Sequence, residues 1–257
     1  MKKSVHLALA LALVAAPAPT LLAKAATQAD SMAAAVASPD RTPDNVKLDA
    51  SRKPAELLKF LGLRPGMRVA DPFGGNFYWA EITGRAVGPT GHVTIWQPQQ
   101  FYDKDTYDAY QAVQAKQPNV WMRVSPFESP DIPAGKYDFM LINLDYHDVY
   151  WQNDKYKIVR MDPAEWLKTI NAAMKPGAIV GVVDHVANPN DDTRATVDKL
   201  HRIDPAVVKR DFEQAGFKLV ATSNMLRNPD DDHSLLVFDP KIRGKTDRFV
   251  YKFKKVR

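Results

Sequence analysis

No cysteine occurs among the 257 residues. Thiol nucleophiles, thiolate metal sites and disulfides are therefore excluded, and stability must come from the core. A Gly-x-Ser-x-Gly elbow is also missing, which removes the usual serine-hydrolase arrangement. No apolar run is long enough to span a bilayer comfortably. The longest, residues 7–16, is broken soon after by Pro17 and Pro19. Large net charge is missing as well. Three of the 35 basic side chains and none of the 30 acidic ones lie in residues 1–25, so the remainder carries 32 against 30. With no broad basic face and no recognised module, no nucleic-acid partner is expected.

What is present begins with a targeting pattern. Lys2 and Lys3 precede the apolar run, and Ala23-Lys24-Ala25 matches a small-x-small cleavage site. Residues 1–25 are read as a signal peptide, giving an exported protein, periplasmic or secreted, with no stable membrane span after cleavage. An uncleaved anchor would leave the same location. Residues 26–50, rich in Ala, Asp and Pro, read as a flexible arm with a short helix near 31–37. A single domain fills 51–257.

In that domain strands and helices alternate. Ser51 is placed to cap a helix that Gly62 ends. Strands are expected at 68–71, 92–97, 120–124, 137–144, 178–184, 218–223 and 248–254. Helices are expected at 76–87, 105–116, after the Asp162-Pro163-Ala164-Glu165 start, and after Asp204-Pro205. Residues 178–184 form a continuous apolar run, as in a strand buried on both faces. The Lys252, Lys254, Lys255 and Arg257 tail, interleaved with Tyr251 and Phe253, reads as an edge strand with a solvated face. The fold class is α/β, a Rossmann-like doubly wound sheet with helices on both faces.

The segment GMRVADPFGGNFYWAEITGRAVGPTGHV, residues 66–93, is a strand, an acid, a glycine turn and an amphipathic helix. Such a unit presents main-chain N–H groups and a strand-end carboxylate to a nucleotide-like ligand. Downstream come VTIW, YDFMLINLDYHDV, LKTINAAMKPGA, IVGVVDH and DFEQAGFKLV. In that order these segments resemble a class I S-adenosylmethionine-dependent methyltransferase, more narrowly an exported group with an aromatic in place of the first motif glycine. The resemblance covers the chain from about Ser51 onward. It implies seven strands ordered 3-2-1-4-5-7-6 with the last antiparallel, and S-adenosylmethionine across the ends of the first two strands. Carried over, the cofactor residues are Asp71, Gly74, Gly75, Asn76, Gln97 at the ribose position, Phe127 and Glu128 near the adenine, and Asn143 near the amino-acid part. Phe73 and Phe77 replace two family glycines, and Gln97 replaces the strand-two acid.

The polar loops at the strand ends carry the candidate chemistry. His147 is the first choice as general base, oriented by Asp148 or Asp145, because histidine titrates near working pH. His185 is second. Tyr146, Trp151, His201, Arg202 and Arg227 are candidate substrate contacts. Their structural alternatives are strand capping and core packing. Asp230-Asp231-Asp232-His233 follows Asn228-Pro229 and reads as a solvated turn, so no metal site is expected. The function expected is methylation of a small molecule. The alternatives are a non-catalytic binding protein on this fold, or a hydrolytic or lyase activity built on His147 and His185.

Overall fold

The computed structural model describes residues 28–74, 76–190 and 192–256, with side chains given from residue 31 onward. The expected signal peptide and Gly75 lie outside the described residues. Seven strands form one sheet: β1 (Arg68–Pro72), β2 (His92–Pro98), β3 (Val120–Ser125), β4 (Tyr137–Asn143), β5 (Met174–His185), β6 (Phe217–Ser223) and β7 (Arg248–Lys255). Their order is β3-β2-β1-β4-β5-β7-β6. The first five run parallel, and β7 is antiparallel to both of its neighbours.

Side chains on a strand alternate between faces, so a central strand must be apolar on both. In β4, Met140 and Ile142 join one buried cluster, while Phe139 and Leu141 join the other. The first cluster takes Trp166, Leu167 and Ile170 from α7 (Pro163–Ala173), and Val208 and Phe212 from α9 (Pro205–Gln214). The second takes Leu57, Leu58 and Leu61 from α4 (Pro54–Leu61), and Ile82 and Ala86 from α5 (Tyr78–Val87). Both expected Asp-Pro starts are caps. Asp162 accepts from the Ala164 amide and Asp204 from the Ala206 amide, each at about the 2.8–2.9 Å of a good bond. Gly62 ends α4 with φ 90°, a left-handed conformation that glycine adopts without strain.

Three expectations are corrected. The segment expected to be a flexible arm is folded: the short helix expected near 31–37 is present as α1 (Gln28–Val36), and α2 (Pro43–Val46) and α3 (Asp49–Arg52) follow it. Met32 and Ala35 are buried in the second cluster, and Thr42 and Asn45 donate to the buried Glu81 carboxylate of α5. The Arg41 side chain is fully buried and bonds Asp49 through two nitrogens, at 2.6 and 2.8 Å. A carboxylate enclosed by protein must be paired, and the arm supplies the partners. The second correction is the helix expected from Ser51. Lys53, at φ 46°, breaks the chain between α3 and α4. The third is the basic C-terminal strand, which is interior rather than edge. Lys252 Nζ bonds the Phe60 carbonyl, and Lys255 Nζ bonds the Asn171 and Met174 carbonyls, so these lysines cap the carboxyl ends of α4 and α7. Two further helices complete the chain: α6 (Lys104–Lys116) and α8 (Thr193–Leu200).

Candidate active site at the carboxyl ends of the strands

Parallel strands bring the ends of β1, β2, β4 and β5 to one rim. In open α/β sheets that rim is where ligands bind. Asp71 ends β1 beside Ile95 of β2, and Gln97 lies two residues further along β2. Strand rise and spacing put the two about 8 Å apart. Both are buried. Asp71 Oδ2 and Gln97 Oε1 accept no hydrogen bond from the protein. Two buried acceptors without donors at neighbouring strand ends call for an external donor. Burial raises the Asp71 pKa to about 7, against the pull of Arg52. Gly74 closes over this acid. A Cβ there would stand 2.9 Å from Asp71 Oδ2 and 2.8 Å from Ile95 Cγ2, so only glycine permits the approach.

The rest of the turn departs from the expected cradle. Phe73 and Phe77 sit at φ 61° and 56°, conformations in which bulky residues are strained. The Phe73 ring contacts Trp96, Phe127 and Trp166, with centroids 5.1, 4.9 and 6.1 Å away. Phe77 turns the other way, towards Tyr110. Asn76 is exposed. Its side-chain oxygen accepts from the Tyr78 amide and its carbonyl from Asn45, so its polar groups start α5 and hold α2. Phe127 is buried in the aromatic cluster, while Glu128 is exposed and accepts from Gln100. Asn143 is half-buried at the end of β4.

The loops after β4 and β5 meet at His147. Its Nδ1 lies 2.8 Å from Asp184 Oδ1, and its amide donates to Asp184 Oδ2 at 2.9 Å. Asp184 also accepts from the His185 amide. The residue that orients His147 is therefore Asp184, from the end of β5, in place of the expected Asp148 or Asp145. Burial disfavours the charged ring, but Asp184, Asp148 and Asp145 together outweigh it and raise its pKa to about 9. The surrounding carboxylates thus favour positive charge at this ring. Burial has the opposite outcome at His185, whose pKa falls to about 3 and whose Nδ1 faces the Thr246 hydroxyl at 2.7 Å. Burial and the neighbouring Asp148 push Asp145 well above the carboxylate range.

His201 reaches the same place from the end of α8, with its ring 5.4 Å from that of His147 and 5.0 Å from that of Trp151. Three other expected substrate contacts are instead structural. Tyr146 is buried and donates to Asp211. Arg202 is fully buried, paired through two nitrogens with Asp231 and bonded to the Leu235 and Val186 carbonyls. Arg227 clamps Asp247 at 2.7 and 2.8 Å. Arg202 is thereby enclosed with most of its donors engaged, whereas the half-exposed Arg227 spends two of its five on the clamp. Asp231 and His233 belong to the same clamp, so the acidic run is a pinned loop.

No family model and no curated relative matches the chain. Solved structures do. A putative sarcosine dimethylglycine methyltransferase from Galdieria sulphuraria superposes with a TM-score of 0.58 at 13% identity, covering 83% of this chain and 88% of its own. A SAM-dependent methyltransferase from Aquifex aeolicus gives 0.57 at 18%, covering 84% and 94%. This is the class I methyltransferase fold. A 1,6-didemethyltoxoflavin-N1-methyltransferase from Burkholderia thailandensis, solved with S-adenosylhomocysteine, gives 0.51 at 16%, covering 83% and 80%. Asp71, Gln97 and Asn143 lie on the carboxyl-end rim of this fold.

Proposed function

We propose that this protein is an exported S-adenosylmethionine-dependent methyltransferase acting on a small molecule with an ionisable heteroatom. The observation that carries the reading is the pair of buried, unpartnered acceptors, Asp71 Oδ2 and Gln97 Oε1, on adjacent strand ends of this fold. Asp71, Gln97, Asn143 and the Gly74 turn would hold the cofactor, which supplies an electrophilic methyl group. On the acceptor side, Asp184 holds the Nδ1 edge of His147 and fixes its ring. A ring so fixed can exchange a proton with the acceptor heteroatom through Nε2. Trp151, half-buried beside His201, offers an apolar wall.

A second reading is favoured by one observation. Phe73 lies against Trp96 and Phe127, beside the end of β2. This aromatic plug fits a non-catalytic binding protein that keeps the fold and has narrowed the cofactor crevice. Calorimetric titration with S-adenosylmethionine and S-adenosylhomocysteine separates the two readings. The transferase should release heat with both ligands, and Asp71→Ala should abolish it. Silence with both ligands at millimolar concentration would remove the transferase reading and leave the binding protein.

A further inference from the structure

Three side-chain atoms converge beside His147. Its Nε2 lies 3.3 Å from Asp148 Oδ1 and 3.3 Å from His201 Nδ1, and His201 Nδ1 lies 3.4 Å from the same Asp148 oxygen. The triangle is nearly equilateral. Zinc takes imidazole nitrogen and carboxylate oxygen at about 2.0–2.1 Å in tetrahedral geometry, which sets ligand atoms about 3.3–3.4 Å apart. The three atoms already have the separations of one face of a coordination tetrahedron. Asp148 Oδ1 is shut from water and accepts no hydrogen bond, although two imidazole nitrogens stand beside it. An enclosed carboxylate oxygen left in this way is explained by a cation between the three atoms.

We infer that His147, Asp148 and His201 bind a divalent transition metal of the zinc class, with a fourth position open to water or to a substrate heteroatom. Two imidazoles and one carboxylate suit zinc, cobalt or ferrous iron, whereas calcium and magnesium prefer all-oxygen shells. The support behind the ligands has the form that metal histidines require. Asp184 holds the Nδ1 side of His147, which leaves Nε2 to the metal. Two backbone amides, of His147 and His185, fix Asp184 in turn. His201 is turned inward by its left-handed backbone, φ 49°, at the end of α8, and its ring lies between those of Trp151 and Phe238, at 5.0 and 5.2 Å. Asp145 adds a third nearby carboxyl group to those of Asp148 and Asp184. Adjacent residues in the 3-10 turn His147–Tyr150 supply two ligands, and one distant in sequence supplies the third, so the spacing has no familiar motif. The expectation of no metal had been drawn from the Asp230–His233 run alone.

The site shares His147 with the proposed acceptor side but stands on the triangle alone. A metal there would acidify a bound water or hydroxyl. The test uses the untagged full chain, stripped with a chelator and titrated with zinc chloride and with cobalt chloride, without methyl donor. One equivalent should bind, and cobalt should give the intense visible absorption of a four-coordinate centre. Asp148→Asn and His201→Asn should each weaken zinc binding by about tenfold or more, and Asp184→Asn by about 10–100-fold through the misdirected ring. His233→Gln, in the separate clamp, should leave binding unchanged. Should His147 variants fail to fold, Asp148→Asn and His201→Asn, checked by circular dichroism, carry the test. Absence of saturable binding would overturn the inference. So would binding that both variants retain, or a cobalt spectrum of purely octahedral type. Failure to bind S-adenosylmethionine would leave it intact.

Discussion

Asp71 is the residue where stability and ligand binding pull in opposite directions. A carboxyl group in a dry site keeps its proton longer, and burial lifts this one to about 7 from an ordinary value near 3.8. Between those two pH values the folded chain holds a proton that the unfolded chain has released. The unfolded state thus binds fewer protons, and unfolding free energy must fall as pH rises through that window. Asp71→Asn removes the effect. At pH 8 the variant should be more stable than the parent by about 2–4 kcal/mol, since each tenfold difference in proton affinity between the folded and unfolded chains is worth roughly 1.4 kcal/mol. At pH 4 the two should be nearly equal. Urea titrations of both proteins at the two pH values check this, and an equal gap at both would show that the acid is not held protonated. Under the proposed function the gain in stability should come with lost S-adenosylmethionine affinity, because an amide is a weaker acceptor than a carboxylate.

Among the elements, the three N-terminal helices were the least legible. Their composition carries no strong helical stripe, and their anchors are polar and distant in sequence. Thr42 and Asn45 meet Glu81 across 39 and 36 residues, and no local pattern announces such pairs. The strands and the long helices were legible because alternation and caps are local. β4 and β5 read as apolar runs, and both Asp-Pro starts hold. The candidate site divides along the same line. The loops after β4 and β5 were identified by position, and His147 and His201 do meet. Asp184 was passed over as orienter because it is 37 residues from His147. Tyr146 and Arg202 looked like substrate contacts because their partners, Asp211 and Asp231, lie 65 and 29 residues away. The N-terminal helices make their own prediction. Arg41→Met breaks the two-nitrogen pair with Asp49 and leaves that acid with Tyr78 alone. Loss of one partner of a buried pair costs about 3–5 kcal/mol. Since Asp49 is partly exposed, the lower end is expected. Hydrogen exchange should rise across residues 31–48 while β4 and β5 stay protected. Parent protein that exchanges in that segment as fast as a free peptide would contradict the packing of these helices.

On the scale of the whole molecule, one ring joins four parts of the fold. Phe73 leaves the end of β1, meets Trp96 on β2 and Phe127 after β3, and stacks on Trp166 of α7. It ties the strand-end rim to the helix layer beneath it. The same ring holds a left-handed backbone that glycine would adopt more easily. Phe73→Gly therefore has two opposed consequences. Loss of a partly buried phenyl ring, including its aromatic contacts, should cost about 2–3 kcal/mol. Relief of the backbone returns about 1 kcal/mol. The net should be a fall in stability of about 1–2 kcal/mol, seen as a lower urea midpoint with unchanged slope. In exchange the space beside Trp96 and Phe127 opens. If the ring is a plug, S-adenosylmethionine should bind about tenfold more tightly to the variant, a gain of about 1.4 kcal/mol. Weaker binding by a variant that still folds would show instead that the phenyl ring is part of the surface on which the ligand rests, and the transferase reading would then keep its aromatic in place of the family glycine.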